Sequence, residues 1–243
     1  MPVSNTEIFD AIQNAYHCQR NWDHTQTIPQ HDIDLILNAA RHAPTKQGET
    51  NYKIYWTTDR SKIQPIYERT PFYSVYDPAV NYDGIVGTDG NFPPEYMITN
   101  PQVNANMIIA ICDDWDPELA RARTHMVIDN DTIEEDLYTH IVKHRQMDLG
   151  VGVCIGNVIM TANLLGYRTG LCSAFDEQAV LGIPDTFCKH IIGIGIPDPS
   201  RNRREHPDVL NSDIFVESMR NGANTANWIF PSFEKVDPIN EMP

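Results

Sequence analysis

The chain is 243 residues long and 41% apolar, with four Trp, ten Tyr and eight Phe, which excludes a disordered polymer and allows one domain with a sizeable core. Eighteen Lys and Arg stand against thirty-three Asp and Glu, and the formal charge of −15 repels nucleic acid and anionic membrane alike. Five cysteines, Cys18, Cys112, Cys154, Cys172 and Cys188, are odd in number and lack Cys-x-x-Cys spacing, which opposes a zinc ribbon and suits a reducing, cytoplasmic location. The opening MPVSNTEIFD has neither the basic patch nor the apolar core of a signal peptide.

Ser4-x-x-Glu7 forms a capping box, and Ile8, Phe9, Ile12, Ala15 and Tyr16 then fall on one face of a first helix running to about Cys18. Pro29 starts a second helix whose buried stripe is Ile33, Ile36, Leu37 and Ala40. It ends near His42, because Pro44 disfavours helical geometry in Ala43. A strand is expected over 53–58, then a turn-rich stretch over about 70–101 of the kind used as a lid or binding loop. NMIIAIC, residues 106–112, is a buried strand, and Thr132-x-x-Glu135 caps a helix that passes His144.

No charge appears over residues 149–167, yet the glycines and polar residues in the run, and its being the single such segment, argue against a membrane span. A central core helix is expected instead, with Gly152-x-x-x-Gly156 admitting a neighbouring backbone. A strand over 171–175, a short helix over 177–181 and a strand over 190–197 follow. The arm over about 222–243 carries Trp228, Ile229, Phe230 and Phe233 and needs something to pack on. With no repeat or linker, 1–243 is one domain, and strands scattered among helices without a βαβ rhythm make it α+β.

Several patterns carry little chemistry. Gly150-x-Gly152-x-x-x-Gly156 has the wrong spacing for a dinucleotide fingerprint, and His140 and His144 lack the Glu of a zinc-protease helix, so no metal site is assigned. Cys172 and Ser173 stand outside any nucleophile motif. Two patterns carry more. PDPSRNRREHPD gathers Arg201, Arg203 and Arg204 just after a buried strand, where planar guanidinium forks suit phosphate oxygens. His17, Cys18 and Arg20 place a donor, a thiol and a cation within four residues at the end of the first helix.

Four stretches together resemble the FMN-dependent nitroreductase family over about residues 6–208. AYHCQRNW is similar to its first basic segment, and ILNAARHAPTKQGETNYKIYWTTD to its helix, Ala-Pro-Ser turn and strand. GVGVCIGNVIMTANLLGYRTGLCSAF is similar to its central helix and Gly-x-x-x-Phe segment, and IIGIGIPDPSRNRR to its last core strand and basic end. The sequence departs from the family at Tyr16 and Cys18, where a basic residue and a serine are usual, and lacks the Asn and Gln-Pro-Trp after the turn.

The resemblance implies a nitroreductase-like fold, a mostly antiparallel sheet surrounded by helices, in an intertwined homodimer with FMN at the subunit interface. His17, Cys18, Arg20, Arg203 and Arg204 would surround the phosphate and ribityl chain. Ser173 and Ala174 would lie beside the reactive edge of the ring. The polar turn Pro44, Thr45, Lys46 and Gln47 would face a flavin held mainly by the partner. The chemistry would reside on FMN, reduced by NADH or NADPH and reoxidised by an electron-poor small molecule such as a nitroaromatic or quinone, with no nucleic-acid or membrane partner. Other implied uses of the scaffold are reductive dehalogenation, a flavin-fragmenting oxygenation, flavin binding without turnover, and a dimer without flavin.

Overall fold

The computed structural model describes residues 3–45, 50, 52–70, 73–74, 97–113, 135–173, 175–201 and 203. The expected arm over 222–243 and most of the stretch over 70–101 lie outside them.

Helix α1, Asn5–Ala15, begins with both halves of the capping box. The Glu7 amide donates to Ser4 Oγ at 3.2 Å, and the Ser4 amide donates to Glu7 Oε2 at 2.7 Å. It ends three residues earlier than expected, and its apolar face corrects the reading in a second way. Only Ala11 is buried, while Ile8, Phe9, Ile12 and Tyr16 are exposed. Helix α2, Gln30–Arg41, follows Pro29 and buries Ile33, Ile36 and Ala40, as the stripe requires.

Strand β1, Tyr52–Thr57, leads to α3, Arg60–Glu68, which the sequence reading did not anticipate. Asp59 starts it by accepting the Ser61 amide at 2.9 Å, and the helix continues through Pro65 because Ile63, Ile66 and Tyr67 are buried beneath it. Two short strands, β2 (Tyr73–Ser74) and β3 (Met97–Ile98), pair antiparallel. Strand β4 is Met107–Asp113.

Helix α4, Glu135–Leu164, joins into one 30-residue helix what the sequence suggested as two pieces. Strands β5, Arg168–Cys172, and β6, Cys188–Gly195, begin two or three residues before their expected positions. Between them residues 177–181 form turns, not the expected short helix, with the Gln178 amide held at 2.9 Å by Asp176 Oδ1.

The sheet is four-stranded, order β1-β4-β6-β5, with every neighbour antiparallel. One end carries Tyr52, Asp113, Cys188 and Cys172, and the other Thr57, Met107, Gly195 and Arg168. A bulge between Ile111 and Cys112 shifts the β4/β6 register, placing His190 opposite Ile111 and Cys188 opposite Cys112.

Against one face lie α2 and α4, packed through Ile36, Ala40, Val151, Cys154, Val158 and Ala162 onto Ile109, Ile111, Ile192 and Ile194. Tyr167, after α4, donates its hydroxyl to Asp32 Oδ2 at 2.5 Å and ties the start of α2 to the end of α4. The second face packs against α3 through Ile63, Ile66 and Tyr67, with Val103, Phe175 and Val180. The loop 99–106 and residues 19–22 cover its remainder at the glycines of β5 and β6. A Cβ on Gly170 would meet the Gln19 oxygen at 2.7 Å, and one on Gly195 the Asn106 Oδ1 at 2.1 Å. Here bare backbone lets polar loops lie flat on the sheet.

The other side of α4 differs from the expected core helix. Leu149 is 66% exposed, with Val153 and Leu164 exposed as well. No described atom lies within 4 Å of a Cβ placed on Gly152 or Gly156. The close approach expected at this glycine pair is therefore absent among the described residues of one chain.

Candidate functional site

The chain leaving α1 turns across the second sheet face and is bonded to both ends of the segment that follows β6. The Gln19 amide donates to the Thr169 carbonyl of β5 at 2.8 Å, the Asp23 amide to Ile196 at 2.8 Å and the Asp198 amide to Asn21 at 3.3 Å. The Arg20 amide donates to the carbonyl of Arg203 at 2.9 Å. The backbones of two arginines 183 positions apart in sequence are thereby joined. Buried Gln19, Asn21 and Trp22 anchor this crossing, Trp22 through its indole N–H to the Pro101 carbonyl at 2.8 Å.

His17, Cys18, Arg20, Arg201 and Arg203 are all half-buried, a depth at which a guanidinium is partly desolvated and still reachable. The His17 ring stands edge-on to Tyr16, centroids 4.3 Å apart. Arg168, which the sequence reading passed over, belongs to the same end of β5, and desolvation lowers its pKa. Its guanidinium donates to the Tyr167 carbonyl at 3.2 Å. A lone arginine opening a strand gives no local signal, and only the Gln19 to Thr169 pairing brings it near the others. Arg204 lies outside the described residues.

Ser173 stands at the other end of β5. It is exposed, immediately after Cys172 at 2% exposure and two residues before Phe175 at 5%. Ala174 lies outside the described residues. The four-residue step from Thr169 to Ser173 spans about 13 Å of strand.

Pro44 and Thr45 follow α2. Pro44 is exposed, and the Thr45 methyl lies 3.6 Å from where a Cβ on Gly150 would be, beside Tyr52 at 3.5 Å. These are ordinary contact distances, so the turn lies close beside α4 at Gly150. Lys46 and Gln47 lie outside the described residues. Because Tyr52 and Cys172 mark the same end of the sheet, the turn and Ser173 share that end, away from the arginines. Leu37, Ala40, Arg41, Thr50, Tyr52 and Trp56 line a cleft of about 340 Å³ next to the turn.

The donor set suits a nucleotide-like ligand with an anionic end and a flat polar end. The arginine pair offers charge-assisted bonds to a phosphate. The opposite end of β5 offers exposed Ser173 immediately after buried Cys172. Among the described residues no group of three His, Cys, Asp or Glu could hold a metal ion, and no helix is long and apolar enough to cross a membrane. All five cysteines are free thiols.

The fold has counterparts of low sequence identity among solved structures. A nitroreductase-like protein from Streptococcus mutans superposes with a TM-score of 0.53 at 14% identity, over 84% of this chain and 97% of its own. The nitroreductase NfrA1 of Bacillus subtilis gives 0.51 at 16% identity, over 88% and 80%. CLA-ER, an enone reductase of gut-bacterial fatty acid saturation metabolism, gives 0.50 at 15% identity, over 86% and 97%. No protein of curated function matches the chain by sequence. The nitroreductase family matches residues 16–196, a span that includes His17, Cys18, Arg20 and Ser173 and ends before Arg201 and Arg203, and the chain belongs to the nitroreductase family.

Proposed function

We propose that this nitroreductase-family oxidoreductase binds FMN along β5 and uses it to carry electrons from NADH or NADPH to an electron-poor organic acceptor, a nitroaromatic, quinone or related compound. The observation that carries the reading is the Arg20 to Arg203 backbone bond, which gathers cations in a chain of net charge −15 at the end of β5 opposite exposed Ser173. Bound flavin supplies reversible two-electron chemistry, and the residues of the chain supply placement and electrostatics.

In this reading Arg20 and Arg203, with Arg204, neutralise the phosphate, and His17 and Cys18 add contacts to the phosphate and ribityl chain. The backbone at Ser173 and Ala174 presents an amide to the reactive edge of the ring, stabilising negative charge that develops on reduction. Pro44, Thr45, Lys46 and Gln47 face the flavin of a second subunit. The exposed apolar side of α4 supports a homodimer, since Leu149, Val153 and Leu164 would leave water on association. Five free thiols fit a reducing, cytoplasmic setting.

The test is a visible absorption spectrum after FMN is added and unbound flavin removed, then anaerobic NADH and NADPH in turn. Retained flavin that bleaches with either donor is expected. Flavin that binds and stays oxidised with both would reduce the reading to flavin binding without turnover, and no retained flavin would overturn it. Arg20→Ala combined with Arg203→Ala should weaken FMN retention at least about a hundredfold, two charge-assisted contacts being removed. Unchanged retention in that variant would refute the phosphate assignment.

A further inference from the structure

We infer that Asn100 is the positioning residue for the Ser173 backbone, acting through the thiol of Cys172. This rests on the reading that Ser173 and Ala174 face the flavin. Asn100 is 1% exposed and uses its hydrogen-bonding groups in three directions. Its side-chain amide faces Cys172 Sγ as donor, and its side-chain oxygen accepts the Gln102 amide at 3.1 Å. Its backbone amide donates to Thr70, at 3.0 Å to the hydroxyl and 3.2 Å to the carbonyl.

Each of these contacts is itself fixed. Thr70 closes the end of α3 by donating its hydroxyl to the Tyr67 carbonyl at 2.7 Å. Gln102 is pressed onto the sheet, because its carbonyl occupies the space a side chain at Gly193 would need. Cys172 is the last residue of β5, paired with Ile191. A rigid polar bracket built on α3 and β6 therefore grips the sheet one residue before the chain surfaces at Ser173. Phe175, buried in the same cluster, holds the far side.

The arrangement has a chemical purpose in a flavin site. An amide aimed at a developing charge is effective only if it does not reorganise when the charge appears. Ser173 is exposed and follows a strand end, where fraying is the rule. The Asn100 bond to the preceding thiol is what resists fraying there. Asn is suited to this because one short side chain donates to sulfur and accepts from an amide at once.

Asn100→Asp keeps the shape and the acceptor for Gln102 and deletes the donor to Cys172. Cys172→Ala deletes the acceptor and leaves Asn100 intact. In the full chain without added flavin, amide hydrogen exchange over residues 173–175 is expected to quicken at least about tenfold in either variant while β1 keeps its wild-type rates, the signature of local opening. In FMN-loaded protein the ratio of oxidised to reduced flavin at a fixed potential should move about tenfold, roughly 30 mV for a two-electron couple. The double variant should shift no further than either single one, since both remove the same contact.

Unchanged exchange at 173–175, or a rise shared equally by β1, would overturn the inference and leave Asn100 a general contributor to stability. So would additive shifts in the double variant. If Asn100→Asp does not fold, Cys172→Ala decides by the same exchange measurement. Failure of wild-type protein to retain FMN would sink the flavin reading, and the exchange rates would still show whether Asn100 holds this backbone.

Discussion

A Cβ added to Gly193 would stand 1.8 Å from the carbonyl oxygen of Gln102, closer than any atom pair tolerates, and the obstacle is backbone. Gly193→Ala must therefore push the 99–106 loop off the sheet. A stability loss of at least about 2 kcal/mol is expected by chemical denaturation, with flavin retention falling as the Asn100 bracket moves. His190 invites a second residue-level test. It sits in β6 with, among the described residues, no partner for its buried Nδ1, and burial holds its pKa below the ordinary 6.5. Asp148 and Glu177 oppose that shift and Lys189 adds to it. The folded protein then binds a proton less readily than the unfolded chain, so this contribution to stability is complete above pH 6.5 and is lost as the pH falls through the folded value. A His190→Gln variant should lose less melting temperature than wild type between pH 7 and 5, and parallel pH profiles would reject the assignment. Residue types at special spacing, such as Arg20 and the arginine run, were legible in the sequence. Asn100 was not, because its role depends on contacts 30 and 72 residues away.

Helix α4 shows what a run of apolar residues can and cannot tell. The absence of charge from residue 149 onward marked a helix with little aqueous preference, and the helix is there. Composition does not say which faces find a neighbour. Val151, Cys154, Ile155 and Val158 pack on the sheet, while Leu149, Gly152, Val153 and Gly156 look outward. This allows a test of the proposed dimer in which two effects oppose. Gly152→Ala fills open space on a helix and should stabilise an isolated chain by roughly 1 kcal/mol. In a dimer closed over this face it should instead weaken association. Sedimentation over a range of protein concentrations is expected to show a weakened dimer for Gly152→Ala and for Val153→Glu. A monomeric wild type would reject the dimer, and dimers unaltered by both changes would place the interface elsewhere. Helix α3 escaped the sequence reading for a related reason. Pro65 and the polar residues around it argue locally against a helix, and burial of Ile63 and Ile66 decides the matter. The turns over 177–181 err in the opposite sense, since five residues give a helix too little cooperativity to persist.

At the scale of the whole molecule, the sheet joins strands that the sequence keeps apart. Positions 52 and 113 pair, as do 107 and 194, and no local pattern specifies such partners. The α+β class could be read from the missing βαβ rhythm, but the order β1-β4-β6-β5 could not, and only the family resemblance pointed to an antiparallel sheet. The charge distribution follows the same division. A net charge of −15 was plain from composition, whereas the meeting of the two chain segments that carry Arg20 and Arg203 was not.

The bond between Thr70 and Asn100 has a consequence for how such a protein can diversify. The chain departs at Thr70, pairs briefly with itself at Tyr73 to Ile98 and Ser74 to Met97, and comes back to within hydrogen-bonding distance of its point of departure. The two ends of this excursion, Tyr73–Ser74 and Met97–Ile98, are therefore held together beside the Thr70 to Asn100 bond. Exchanging that insert for a four-residue turn changes the entropy of closing the loop by only roughly 1.5 kcal/mol, in favour of the shorter chain. A change of length between Ser74 and Met97 is therefore expected to cost the four-stranded sheet little stability, which chemical denaturation of the shortened chain would check.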